Sequence, residues 1–171
     1  MANNVEWKAR ARDPHRQRIL AAKLADGPPE MLDQVDTFFP VQHGYLKLRQ
    51  LSADRGELIH YLRPVQAGPK LSKYFLLPID QPGEMRNLLV QALGIYGEVR
   101  KRRFVFFVGQ SRIHFDEVER LGSFLEVEVV LRPEQAIAEG ERIATALRRQ
   151  LEVQDEDLIE VAYIELLRQA F

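Results

Sequence analysis

The chain contains no cysteine. Disulfides, thiolate metal ligands and cysteine nucleophiles are therefore excluded from its stability and its chemistry. Long apolar runs are missing too. Nothing approaches the roughly 20 consecutive apolar residues of a membrane span, and the first residues, MANNVEWKARARD, lack the apolar stretch of a secretory leader. The expectation is a cytoplasmic protein with no membrane partner. Neither charge sign dominates: 24 Lys and Arg stand against 25 Asp and Glu, so net charge makes no case for nucleic acid as a partner. A Walker-type phosphate loop and an HExxH zinc pair are both absent. No linker, repeat or low-complexity segment divides the 171 residues, which read as one domain large enough to bury a core.

What the chain does have is alternation. Runs in which charged and apolar residues alternate predict strands at 5–10, 34–39, 44–51, 57–63, 72–77, 99–108, 111–118 and 124–131. Helices are predicted at 13–25, where Asp13-Pro14 supplies an N-cap and a proline at the first position, and at 80–93, 133–151 and 155–169. Many antiparallel strands with a few helices make the class α+β.

The polar parity is the informative one. It collects Glu6 and Lys8, then Lys47 and Arg49, then Arg63, then Lys101 and Arg103, then Arg112 and Asp116, then Glu126 and Glu128. The plain reading is an open sheet with one solvated face. Two features favour another. Basic residues dominate some strands and carboxylates others, and there are many strands for one flat sheet of this size. A sheet closed on itself would turn the charged face inward. Buried charges cost several kcal/mol each unless paired, hydrated or bound to a ligand, so such a lumen would be a wet tunnel with a compensating occupant. Lys and Arg suit phosphate oxygens. Clustered carboxylates suit Mg²⁺ or Mn²⁺.

These residues resemble a known family. VEWKAR, with Asn4 just before it, is similar to the ExExK strand of the CYTH superfamily, which groups class IV adenylate cyclases, thiamine triphosphatases and inorganic triphosphatases. QVDTFF, GYLKLRQ and LIHYLRP resemble its next three strands, and VRKRRFVFFVGQSRIHFDEVERLGSFLEVEVVL its last three. The resemblance implies a closed eight-stranded antiparallel β-barrel, a triphosphate tunnel with helices outside. It implies metal ligation by Glu6, Asp116, Glu126 and Glu128, and phosphate binding by Lys8, Lys47, Arg49, Arg63, Lys101, Arg103 and Arg112. Glu6, Lys8, Arg63, Asp116, Glu126 and Glu128 would form the catalytic set, with Mg²⁺ or Mn²⁺ as cofactor. The substrate would be a nucleoside triphosphate or inorganic tripolyphosphate. The segment 110–130 is most like the class IV cyclases, which convert ATP to cyclic AMP and pyrophosphate. A triphosphatase and a non-catalytic polyphosphate-binding module remain as alternatives. One departure stands out: Asn4 occupies the position of the first Glu of ExExK, offering a carbonyl oxygen without charge.

Other residues invite readings. His114 shares the parity of Arg112 and Asp116 and is expected to hydrogen-bond beside the metal site. Asp36 has a structural role near a turn or a role in the site, with equal claim. The run RKRR at 100–103 is expected to split, Lys101 and Arg103 inward and Arg100 and Arg102 outward. Trp7, Phe106 and Phe107 are expected in the core or against helices. His15, His43 and His60 carry no assignment. The outward apolar residues need a cover, by helices alone or with a second subunit in a homodimer.

Overall fold

The computed structural model describes residues 2–62 and 64–171. Arg63, one of the expected basic and catalytic residues, lies outside the described residues. The strands are β1 (Ala2–Arg10), β2 (Glu30–Phe39), β3 (Tyr45–Gln50), β4 (Gly56–Leu62), β5 (Lys70–Ile79), β6 (Gly97–Val108), β7 (Ser111–Val118), β8 (Gly122–Val130) and the two-residue β9 (Leu158–Ile159). The helices are α1 (Pro14–Leu24), α2 (Pro82–Leu93), α3 (Ile137–Gln150) and α4 (Tyr163–Ala170). Neighbouring strands pair in the order β5-β4-β3-β2-β6-β7-β8-β1, all antiparallel, and β1 pairs back onto β5, which closes the barrel.

Closure explains the burial pattern. On β1 both parities are buried: Val5, Trp7 and Ala9 on the outer face, Asn4, Glu6 and Lys8 on the inner. An open sheet would leave the second set in water. An eight-stranded barrel encloses just enough room for side chains and one small ligand. The outer apolar parity of β1, β7 and β8 packs with Ala21 of α1 and with Ala144 and Leu147 of α3. Trp7 extends through this layer, and its indole N–H donates to the carbonyl of Ala144 at 2.8 Å. Gly140 lets α3 approach closely, since a Cβ there would stand 2.6 Å from Leu131 and 2.8 Å from Val5. Helix α2 lies against β2 and β3. The outer face of β4 and β5 is less covered, with Leu62, Phe75 and Leu77 exposed.

The C-terminal segment departs from the sequence expectation. Instead of one helix over 155–169, residues Asp155–Asp157 form a single 3-10 turn, Leu158 and Ile159 form β9, and the helix begins at Tyr163. The cause is an edge left open by barrel closure. β5 pairs with β1 only from Ala2 to Glu6, and β9 takes the same edge at Lys8 and Ala9. Backbone groups there would otherwise be unpaired, a cost that helix propensity at 155–162 does not outweigh. Arg12 fixes the turn through Asp157 at 2.8 and 3.1 Å. α3 also starts later than expected, at Ile137. Pro133 lies in a turn, where Gln135 accepts from the Arg132 N–H at 3.0 Å.

The first turn of α4 covers one end of the lumen. Ala162, Tyr163 and Ile164 pack with the inward residues Phe38, Ile59, Tyr61, Val99, Val118 and Phe124. A Cβ on Gly97 would stand against the Ile164 side chain and force it to shift, so glycine permits this close seat. None of the described helices is long and apolar enough to cross a membrane.

Candidate functional site

Above that apolar floor the lumen is a cavity of about 290 Å³ with two chemically distinct walls. The first is built by β2, β3 and β6. Pairing sets Asp36 opposite Arg49, Phe38 opposite Lys47, and Gln34 opposite Lys101. Asp36, 1% exposed, therefore meets cations from both neighbours. Its Oδ2 accepts from Lys47 Nζ at 2.9 Å, Lys101 Nζ at 2.8 Å and Arg49 Nη2 at 2.9 Å, and its Oδ1 accepts from Arg49 Nε at 2.8 Å. Burial alone would raise the Asp36 pKa, but the three cations outweigh it and hold the carboxyl well below the usual range. The lysines yield to desolvation. Burial, with repulsion from Arg49, lowers Lys47 to about 8 and Lys101 to about 7, although Asp36 opposes the shift.

The second wall comes from β7, β8 and β1. Glu6 pairs with Glu128, Lys8 with Glu126, Arg112 with Glu128 and His114 with Glu126. One imidazole nitrogen and one oxygen from each of Glu126 and Glu128 lie within 4.8 Å of one another, a group that can hold a metal ion. Lys8 Nζ stands 3.6 Å from Glu126, and Arg112 Nη2 stands 2.8 Å from Glu128. Burial, with repulsion from Arg103, lowers the His114 pKa and favours the neutral ring. Glu6 is buried on the same face.

Between the walls lies Arg103, which donates to both oxygens of Asp116 at 2.7 Å and to Glu126 at 3.0 Å. Asp116 also accepts from the Tyr163 hydroxyl at 2.8 Å. Burial would raise the Asp116 pKa, yet Arg103 holds it at about 2. The structure thus gathers Glu126 and Glu128 with His114, and sets Asp116 apart in an arginine–tyrosine grip. It gathers Lys47, Arg49 and Lys101 on Asp36, and distributes Lys8, Arg103 and Arg112 along the carboxylate wall. Arg100 and Arg102 point outward to Glu98 and Asp33. Phe106 is buried in the outer core, but Phe107 lines the lumen. Its parity with Arg103 and Val105 is the reason.

Sequence reading did not anticipate three features. Asp36 as the hub of the cation wall was legible only as a parity with Gln34 and Phe38. His114, expected to hydrogen-bond beside the metal site, contributes a nitrogen to the candidate metal group itself. Tyr163 had no local signal, because it reaches the lumen only through the C-terminal turn.

Among the described residues, the buried side-chain atoms without a hydrogen-bond partner are Asn4 Oδ1, Gln34 Oε1, Arg112 Nε and His114 Nδ1. All four residues line this one cavity. Orphaned buried polar atoms are rare and costly, and four converging on one cavity mark it as built for a polar occupant. The Asn4 carbonyl oxygen, two glutamates and a neutral imidazole also fit a divalent cation by donor chemistry.

A closed antiparallel tunnel with opposed cationic and carboxylate walls is the class of protein that fold and site define. The chain belongs to the CYTH domain family, whose profile matches residues 2–163. No protein of curated function matches it by sequence. Solved structures do. A protein from Pyrococcus horikoshii superposes with a TM-score of 0.82 at 20% identity, covering 95% of this chain and 98% of that one. An adenylate cyclase candidate from Vibrio parahaemolyticus gives 0.78 at 19% identity, covering 96% and 97%. An adenylyl cyclase candidate from Hippeastrum, described as having a dominant triphosphatase activity, gives 0.69 at 14% identity, covering 99% and 96%. At these identities the likeness is one of fold.

Proposed function

We propose that the chain is a divalent-metal-dependent enzyme that attacks a phosphorus of a triphosphate inside this lumen, with hydrolysis of the terminal phosphoryl as the reaction the cavity favours. The observation that carries the reading is the pairing of walls: a cation-rich face and a His-Glu-Glu group lining one cavity, with unpartnered buried polar atoms on both. Lys47, Arg49, Lys101 and Arg103 bind non-bridging oxygens and balance the charge that develops on the leaving diphosphate. Glu126, Glu128, His114 and the Asn4 carbonyl would hold Mg²⁺ or Mn²⁺, which supplies Lewis-acid charge at the transferring group when bound. A water held against the carboxylates attacks the terminal phosphorus in line, the bond to the bridging oxygen breaks, and the proton of the water passes to the carboxylate group.

Size supports the hydrolysis reading. About 290 Å³ lies at the lower edge of ordinary small-molecule sites, roughly 300–1,000 Å³. A linear triphosphate fits with its organic part at the mouth. Cyclisation would require the ribose to enter beside the metal group. The second reading, a class IV adenylate cyclase, is favoured by the apolar part of the lining. Leu32, Tyr74, Leu76 and Phe107 line the cavity and offer apolar surface to a nucleobase.

Product analysis separates the readings. Purified protein incubated with Mg²⁺ or Mn²⁺ and either ATP or tripolyphosphate should release orthophosphate, resolved by ion-exchange chromatography. Cyclic AMP with pyrophosphate would replace the first reading by the second. Binding without any turnover would leave a polyphosphate-binding module. A companion prediction concerns Asn4. Asn4→Glu adds a charged oxygen and should tighten Mn²⁺ binding by about tenfold, or 1.4 kcal/mol, measured by calorimetry. An unchanged affinity would remove position 4 from the metal site.

A further inference from the structure

Lys47 and Arg49 of β3 and Lys101 of β6 converge on a single carboxylate, and that convergence has a use. Three cations on Asp36 leave this wall with excess buried positive charge. The next carboxylate, Glu57, stands 4.0 Å from Arg49, and Asp116 and Glu126 are engaged by Arg103. Around Lys101 the facing groups are Asp36 from β2, Lys47 and Arg49 from β3, Arg103 on β6 itself, Asp116 from β7, and the Tyr163 ring of α4 at 5.9 Å. Around Lys47, beside Asp36 and Arg49, lie the rings of Phe38 and Tyr61, each 5.6 Å away. A carboxylate presents to ammonium and guanidinium groups the same pair of anionic oxygens that a phosphate does.

We propose that Asp36 is a positioning residue, an internal counter-anion that holds Lys47, Arg49 and Lys101 aimed at the lumen and shares them with the phosphate oxygens of the substrate when it arrives. The proposal rests on the triphosphate reading above. Asp36 satisfies part of the wall's charge and the substrate satisfies the remainder. Without the substrate the wall is under-compensated, which agrees with the low basicity of both lysines. Binding an anion then draws protons onto Lys101 and Lys47 in the neutral range.

The test uses Asp36→Asn, with tripolyphosphate as the probe. Its amide keeps the shape and loses the charge. The free variant should melt roughly 10 °C below the parent, because buried cations lose their partner. The rise in melting temperature produced by tripolyphosphate should at least double, because the anion now supplies the missing counter-charge. A purely structural aspartate would lower the melting temperature and leave that rise unchanged or smaller, which would overturn the proposal. If the variant folds only with tripolyphosphate present, the proposal stands; if it fails to fold even then, the proposal fails. Proton uptake gives a readout in a chain that keeps Asp36. By calorimetry in two buffers of different ionisation enthalpy near pH 7.5, the parent should take up more protons on binding than Lys101→Arg, whose guanidinium is always charged. The ligand's own titration cancels in that comparison, and equal uptake would overturn the proposal. If tripolyphosphate fails to raise the parent's melting temperature, the triphosphate reading falls and takes this proposal with it. A normal rise in the parent with no increase in Asp36→Asn overturns this proposal alone.

Discussion

Replacing Glu126 and Glu128 together by glutamine should lower metal-dependent turnover by on the order of a thousandfold, while the barrel still folds. Both side chains lie within 4.8 Å of His114 in the group that can hold a metal ion. Glutamine preserves their volume and one carbonyl oxygen each, but removes two charges that a divalent cation needs. Losing Lewis-acid stabilisation of a transferring phosphoryl costs several kcal/mol, and about 4 kcal/mol corresponds to the expected factor. The barrel is less stable, because Lys8, Arg103 and Arg112 lose charged partners, but it still folds because each glutamine keeps an accepting oxygen, Arg103 keeps both oxygens of Asp116 and the outer core is untouched. Turnover with ATP and tripolyphosphate, at saturating Mn²⁺ and with far-UV circular dichroism as the folding control, provides the measurement. Activity within threefold of the parent would take these two residues out of the chemistry.

The largest effect on stability is expected at Arg103. Arg103→Met fills much the same space without charge and leaves Asp116 and Glu126 buried without their guanidinium. Breaking a buried pair from one side costs about 3–5 kcal/mol, to be read as a lower urea midpoint with the slope unchanged. The pH dependence gives the sign. Asp116 has its folded pKa depressed from the ordinary 3.8 to about 2. Its contribution is therefore fully present above pH 4, and is lost as pH falls toward 2. That contribution is on the order of 2 kcal/mol. In Arg103→Met burial and the neighbouring Glu126 charge are opposed by Lys101 and the Tyr163 hydroxyl, without the guanidinium that held the group down, so the Asp116 pKa rises. The gap between parent and variant should be widest at pH 7 and should narrow as pH falls from the variant's raised Asp116 pKa toward the parent's value of about 2, where a protonated Asp116 no longer requires a cation. A variant within 1 kcal/mol of the parent at pH 7 would show that the Arg103 pairs contribute little net stability.

Much of the barrel was readable beforehand because its signal is local. Successive side chains of a strand point to opposite faces. Lys101 and Arg103 could thus be separated from Arg100 and Arg102, and Glu126 and Glu128 from Val127 and Val129, without knowing any neighbour. The same rule applied to residue 107 would have turned Phe107 inward beside Val105. Aromatic character suggested the core instead. Where the reading failed, the cause was non-local. DEDLIEVAY has a helical pattern, but residues 158–159 become a strand because β5 leaves β1 unpaired beyond Glu6. Tyr163 reaches Asp116 across 47 positions of sequence, and no local pattern encodes that meeting.

Taken alone, the sequence determined which side chains share a face: the acidic, basic and apolar sets of each strand, and the class of chemistry those sets can serve. Alternation with period two is a property of each strand by itself. The tertiary structure decided which sets meet. The lateral register of β2 against β3 and β6 places three cations on Asp36. The register of β7 against β8 places His114 between two glutamates. Register and closure depend on hydrogen bonds between strands far apart in the chain, and a slip of one residue would turn every one of these side chains to the other face.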